Sequence, residues 1–230
     1  TPYVFIKWVL KSSNKYIFSL NRNIYTITLV LTALMTICFM GFNSILVEWN
    51  SNMVLPDFMR GIEEYIRAKE DQLGGLTAFL TDFTAIEKYL FTLFVIAVIP
   101  AIGEEYLFRG LIQTFFEKYI KSPHIAIIIT AILFSAFHFQ FYGFLPRAAL
   151  GIIFGYLFYY SGNLVYPIIA HFINNGLTLT MVYFFNTGVI SYDIEKSETP
   201  SLLIKSVFLI IGLILMFAFR KVFVKKISHE

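Results

Sequence analysis

The chain has 230 residues, of which 57% are hydrophobic and 14% charged, whereas soluble domains are about 45–50% apolar and about 25% charged. A net charge of +3 and a single cysteine exclude a nucleic-acid-binding face, a disulfide scaffold and a thiolate metal cage. The composition predicts an integral membrane protein that contacts lipid and no nucleic acid.

Six apolar segments are predicted to cross the bilayer, each as a helix of about 20 residues. In chain order they are residues 25–47, 89–103 with its polar continuation, 124–146, the two halves of 148–192, and 201–219. We divide 148–192 at the polar break Ser161, Gly162 and Asn163. The sequence therefore predicts an all-α fold, a polytopic transmembrane helix bundle of about six spans, in one domain over residues 1–230.

Two further segments, 3–20 and 57–80, are predicted to be amphipathic helices lying on the membrane surface. Basic residues cluster before the first span and after the last, and 48–88 is rich in acidic residues. By the positive-inside rule, both termini are expected to be cytoplasmic. We also expect Lys205 to extend towards the lipid headgroups, and the pair Gly151 and Gly155 to allow close helix packing.

Charged residues inside the second apolar region are costly and suggest a functional site. Glu105 and Arg109 are four residues apart, which predicts a salt bridge along one helix face. Glu104 is rotated by about 100° from Glu105 and has no partner on its own helix. An unpaired carboxyl group in an apolar interior is suited to general acid or base catalysis.

Two histidines and an amide lie on other predicted spans. His138 belongs to the third span, and His171 and Asn175 share one face of the fifth. With Glu104, they supply a base for activating water and donors for a developing oxyanion, as acyl-bond hydrolysis requires. Counting along the spans places His138 and His171 towards opposite ends, so the sequence does not show that they meet.

These groups, in this order, resemble the motifs of the CPBP intramembrane protease family, which includes the CAAX prenyl endopeptidases and the Abi-type bacteriocin-processing proteins. The EExxxR motif is similar to residues 104–109, FxxxH to 134–138, and HxxxN to 171–175. The resemblance covers a core of about residues 85–185. Family members commonly have further N-terminal helices, and because the chain begins at Thr1 rather than Met, we expect that residues precede it.

The resemblance implies an intramembrane endopeptidase in which Glu104 activates the attacking water, assisted by His138. It implies that His171 and Asn175 stabilise the oxyanion. The supporting residues that it implies are Glu105, Arg109 and Phe134. The expected partner is a peptide or membrane-associated protein substrate, processed either at a CAAX-type C-terminus or during peptide maturation.

Other chemistries and functions stay open at this stage. A metal-free mechanism with no required cofactor is favoured, but zinc bound by Glu104, His138 and His171 is an alternative. A proton-coupled transporter or channel subunit would use the same groups as a relay, with Pro100 and Gly103 marking a broken helix beside an ion site. A non-catalytic immunity or scaffold protein of the same fold is a third alternative.

Overall fold

A computed structural model describes residues 24–83, 85–191 and 200–227, and within these ranges all regular structure is helical. Seven helices lie there: α1 (Thr26–Ser51), α2 (Arg60–Thr81), α3 (Ile86–Tyr119), α4 (Pro123–Ala136), α5 (Phe144–Ser161), α6 (Val165–Asn186) and α7 (Leu202–Ile227). Short 3-10 turns precede α2 and α5. The predicted amphipathic helix 3–20 falls outside the described residues.

Five of these helices are long and apolar enough to cross a membrane, namely α1, α3, α5 with its preceding turn, α6 and α7. The chain is thus an all-α, multi-pass integral membrane protein, as its composition predicts. The predicted break within 148–192 is confirmed, because α5 ends at Ser161 and Gly162 adopts a left-handed conformation with φ 59°. The orientation of the termini stays a prediction.

The prediction of a single span over 124–146 is wrong. Helix α4 ends at Ala136 after 14 residues, a length of about 21 Å, which is short of the roughly 30 Å hydrocarbon core. The chain then turns, with Phe139 at a positive φ of 53°, before α5 begins. This turn contains no Asp, Glu, Lys or Arg, so the distribution of charge does not separate it from the helices. His138 lies in the turn instead of on a spanning helix.

Helix α3 is longer than the apolar segment 89–103 and runs for 34 residues through the charged motif. Two stretches of it are π-helical, Phe94–Val98 and Tyr106–Gln113. The helix continues through Pro100 and Gly103, so the broken helix expected for a transporter is absent here.

Helices α1 and α7 pack side by side across the bundle. A Cβ at Gly41 of α1 would lie 2.6 Å from the Phe208 ring of α7, so the glycine permits this contact. Lys205 is only 4% exposed, and its Nζ lies 2.9 Å from Glu48 Oε2. The expectation that Lys205 extends to the headgroups is therefore wrong, because the helix packing gives it a carboxylate partner.

Gly151 and Gly155 lie on the face of α5 that packs against α4. A Cβ added to Gly151 would lie 3.0 Å from Ala131 Cα, and one added to Gly155 would lie 2.8 Å from Ile127 Cγ2. The predicted close approach of helices at this pair is confirmed. Because these glycines let α4 lie close to α5, the turn after α4 faces the bundle interior.

Helix α2 is amphipathic, as predicted for 57–80, and packs on the turn that precedes α5. Tyr142 donates its backbone N–H to Glu70 at 2.8 Å and its hydroxyl to Glu63 at 3.0 Å. The Arg67 guanidinium lies 4.2 Å from the centre of the Tyr142 ring. Arg67 also donates a hydrogen bond to the Glu63 carboxylate, and this bond lowers the pKa of Glu63. The position of α2 on a membrane surface stays a prediction.

Replacing Gly151 tests the close packing of α4 on α5. We expect Gly151→Ala to destabilise the protein by about 1–3 kcal/mol, because the new methyl group overlaps the Ala131 backbone. Thermal unfolding in detergent measures the change. The control is Gly75→Ala on α2, where nothing lies within 4 Å of the added Cβ. Equal melting temperatures for both variants would contradict the packing argument.

Candidate functional site

The charged motif of α3 forms a buried ion pair. Arg109 Nη1 lies 2.8 Å from Glu105 Oε1, and both side chains are fully buried. Arg109 Nη2 also donates to the carbonyl of Gly151 on α5 at 2.8 Å. The guanidinium lies 4.7 Å from the centre of the Phe134 ring and 5.3 Å from that of Phe154. Hydrogen bonds and aromatic faces thus replace part of the lost hydration of this cation.

Glu105 also fixes the orientation of His171 on α6. Its Oε1 lies 2.8 Å from His171 Nδ1, and the Phe154 ring stacks on the imidazole with centroids 5.2 Å apart. Because a carboxylate accepts, Nδ1 donates this hydrogen bond. In the neutral ring, Nε2 then carries a lone pair, and it faces Glu104.

His138 is oriented by the end of α4. Its Nδ1 lies 2.9 Å from the carbonyl oxygen of Phe134, which can only accept, so Nδ1 is the donor here too. The Phe134 ring packs against both imidazoles, with centroids 5.1 Å from His138 and 5.9 Å from His171. The Nε2 atom of His138 therefore also faces Glu104 with its lone pair.

The turn that carries His138 is held from two sides. Ser135 donates its hydroxyl to the carbonyl of Phe144 at 2.6 Å. Asn50, buried at the end of α1, donates to the carbonyl of Phe141 at 3.0 Å and accepts the N–H of Leu145 at 2.8 Å. Asn50 is not among the residues predicted from the sequence, although an amide near the end of an apolar segment is a signal that indicates such a role.

Glu104 lies between the two imidazoles. Its Oε2 is 3.9 Å from His138 Nε2 and 4.0 Å from His171 Nε2, and has no hydrogen-bond partner. These separations exceed direct hydrogen bonds, which run about 2.7–3.2 Å. Its side chain is 30% exposed, whereas that of Glu105 is fully buried. Three acceptors thus lie close together, and a water molecule among them can donate its two O–H groups to two of the three.

Asn175 lines the same space and is held by a feature of α3. Its Nδ2 donates to the carbonyl of Ile96 at 3.1 Å, and its Oδ1 accepts from Asn174 at 3.0 Å. In an α-helix this carbonyl would accept from the N–H of residue 100, which is Pro100 and has none. Pro100 therefore does not compete with Asn175 for this carbonyl, and one of the two N–H groups of Nδ2 stays available.

The side chains of Glu104, His138, His171 and Asn175 line one cavity of about 350 Å³. Its polar lining residues are Glu104, His138, Arg147, His171, Asn174 and Asn175. Arg147 is not among the residues predicted from the sequence, because it lies between the predicted spans 124–146 and 148–192, where a charged residue is ordinary. Among the described residues, no group of three His, Cys, Asp or Glu is arranged to hold a metal ion. Whether the protein requires zinc is not tested by this arrangement, and zinc stays an alternative.

One protein family matches the part of the chain that carries this site. Residues 86–177, less than half of the chain, match the family model Type II CAAX prenyl endopeptidase Rce1-like. The segment that carries the site is similar to this family, and we call residues 86–177 the Rce1-like segment. This is a family of CAAX-type proteases, and the matched residues contain all three of the motifs described above.

A bacterial relative extends the similarity beyond this segment. The uncharacterized protein YpbD of Bacillus subtilis (strain 168) is 28% identical to the chain over 134 residues, which are 56% of this chain. The aligned part spans 64% of the relative's length. No solved structure matches the chain.

Exchanging each of the adjacent glutamates for glutamine separates their roles in the Rce1-like segment. Glu105→Gln leaves the Arg109 charge buried without its counter-ion, so we expect a loss of about 3–5 kcal/mol in the free energy of unfolding. Glu104→Gln, the matched control, removes a carboxylate whose Oε2 has no hydrogen-bond partner and should leave stability nearly unchanged. Chemical unfolding in detergent measures both. A Glu105→Gln variant as stable as wild type would contradict this assignment.

Proposed function

We propose that the chain is an intramembrane endopeptidase in which Glu104 activates a water molecule for attack on a peptide carbonyl. The observation that carries the proposal is the position of Glu104 Oε2, without a hydrogen-bond partner and about equally far from two imidazole nitrogens. A water molecule in that space would donate to the carboxylate and to one imidazole. The match to a CAAX-type protease family supports the same reaction.

In the proposed reaction, the water oxygen forms a bond to the peptide carbonyl carbon while its proton passes to Glu104, assisted by His138. The carbonyl π electrons move onto oxygen and create an oxyanion. When the tetrahedral intermediate collapses, the C–N bond breaks and the proton held by Glu104 passes to the leaving amine. The products are a new carboxyl group and a new amine, with no other reactant.

The oxyanion would lie near His171 and Asn175. The free N–H of Asn175 Nδ2 is one donor. His171 can donate from Nε2 only when both of its nitrogens carry protons, and its Nδ1 then still donates to the Glu105 carboxylate. Preorganised donors of this kind are usually a large part of the catalysis of acyl transfer.

An apolar cavity beside the site supports a hydrophobic substrate. It has a volume of about 780 Å³ and lies between α2 and the turn that carries His138. Its walls include Leu73, Leu76, Phe139 and Phe144. A lipidated C-terminus of the CAAX type and an apolar segment of a peptide precursor both fit this chemistry, and both remain within the proposal.

Removing Glu104 or His138 tests the enzymatic function. We expect Glu104→Gln and His138→Ala each to lower cleavage of a quenched fluorogenic apolar decapeptide, with and without a C-terminal farnesylcysteine, by at least 100-fold, as removal of a general base typically does. Purified protein in detergent micelles is assayed by fluorescence and mass spectrometry.

The matched controls are Glu64→Gln on the exposed face of α2 and His124→Ala at the start of α4, both outside the cavity. Both should cleave at the wild-type rate. Wild-type cleavage by the Glu104 and His138 variants would refute this site, and liposome flux that depends on Glu104 without proteolysis would favour transport instead.

Chelation tests the metal-free mechanism separately. We expect cleavage to survive exhaustive treatment with a zinc chelator, because the proposed steps use only Glu104, the imidazoles and water. Activity is measured before treatment, after dialysis and after zinc is returned. Complete loss with the chelator and complete recovery with zinc would contradict the mechanism in favour of a zinc enzyme.

A further inference from the structure

Arg147 is a cation in the wall of the site cavity that lacks a carboxylate partner. Its Nη2 donates to Gln140 Oε1 at 2.7 Å, whereas Nη1 is buried without a hydrogen-bond partner. Within the described part of the chain, no carboxylate lies at ion-pair distance from this guanidinium. Burying a charged donor without a partner costs free energy, so a bound anion would stabilise this guanidinium.

The nearby carboxylates are engaged elsewhere. Glu105 accepts two hydrogen bonds on its own side of the site. Glu104 faces the two imidazoles, and Glu70 accepts the backbone N–H of Tyr142. Glu104 and Glu70 therefore act on the charge of Arg147 only at longer range.

The guanidinium has a defined place in the fold. A Cβ at Gly143 would lie 2.1 Å from Arg147 Nη2 and 2.8 Å from Cζ, so the guanidinium in this position packs directly against the glycine. Gln140 fixes the other side of the group through its hydrogen bond. A cation held in one geometry inside a cavity is suited to a carboxylate ligand, which guanidinium binds through two parallel hydrogen bonds.

We propose that Arg147 binds a carboxylate of the substrate, so that the cavity selects peptides bearing a carboxylate close to the scissile bond. The inference rests on the proposed endopeptidase function, since it assigns the substrate of that same site. The carboxylate has two sources, a free peptide C-terminus or an acidic side chain, and both present the same group to the guanidinium.

Binding without turnover tests this assignment. Three dansylated hexapeptides share one apolar sequence and differ at the C-terminus. The first ends in a free carboxylate and the second in a carboxamide. The third also ends in a carboxamide and carries a glutamate as its last residue. Fluorescence anisotropy measures their affinities for the full chain carrying Glu104→Gln in detergent. We expect at least one carboxylate peptide to bind about ten-fold or more tightly than the neutral carboxamide, as charged hydrogen bonds provide.

Adding Arg147→Gln should abolish this preference, whereas Arg60→Gln, the same loss of charge at an exposed position of α2 outside both cavities, should retain it. Preference for the free acid alone identifies the C-terminus, and preference for the glutamate peptide identifies the side chain. If Arg147→Gln fails to fold in a thermal unfolding assay, Gln140→Leu removes the group that positions the guanidinium and should weaken the preference.

Equal affinity for the three peptides, no saturable binding by any of them, or a preference that survives these substitutions would overturn the assignment of Arg147. The proposed function fails by a different result. A wild-type chain that binds carboxylate peptides through Arg147 but cleaves nothing refutes the endopeptidase alone, and cleavage without any carboxylate preference refutes only the inference about Arg147.

Discussion

The buried carboxylate of Glu105 is the interaction on which the rest of the site depends. One oxygen accepts from Arg109 on its own helix and from His171 on α6. Arg109 in turn donates to the Gly151 carbonyl on α5. Three helices are thus joined through one anion in an interior where an unpaired charge is costly. Because Glu105 is occupied in this way, its neighbour Glu104 is the carboxylate that remains exposed to the cavity.

Small residues and one proline make this arrangement sterically possible. Gly151 and Gly155 let α4 approach α5, which brings the turn carrying His138 towards the interior. Pro100 offers no N–H to the Ile96 carbonyl, which accepts a hydrogen bond from Asn175 on α6. In a bilayer a backbone carbonyl has no water to bond, so side-chain donors that reach these carbonyls lock the helices in register. Packing and site geometry are therefore set by the same contacts.

The cavity contains opposite charges with different surroundings. Glu104 faces two imidazole nitrogens that are oriented by hydrogen bonds at their other ends. Arg147 enters the cavity from the start of α5, next to Gln140. A reactive carboxylate and a fixed guanidinium in about 350 Å³ would bind a short polar segment of peptide, and the larger apolar cavity beside it would bind hydrophobic groups.

The sequence by itself determined the all-helical membrane class, the pairing of Glu105 with Arg109, and the helix break at Gly162, because these follow from composition and local spacing. It also supplied the three motifs that match the Rce1-like family model. Only the tertiary structure decided that Glu104, His138 and His171 meet, since the turn after Ala136 contains no charged residue that would mark the end of a span. Arg147 became visible for the same reason: its role depends on which cavity its backbone faces, and residue spacing along the chain does not encode that.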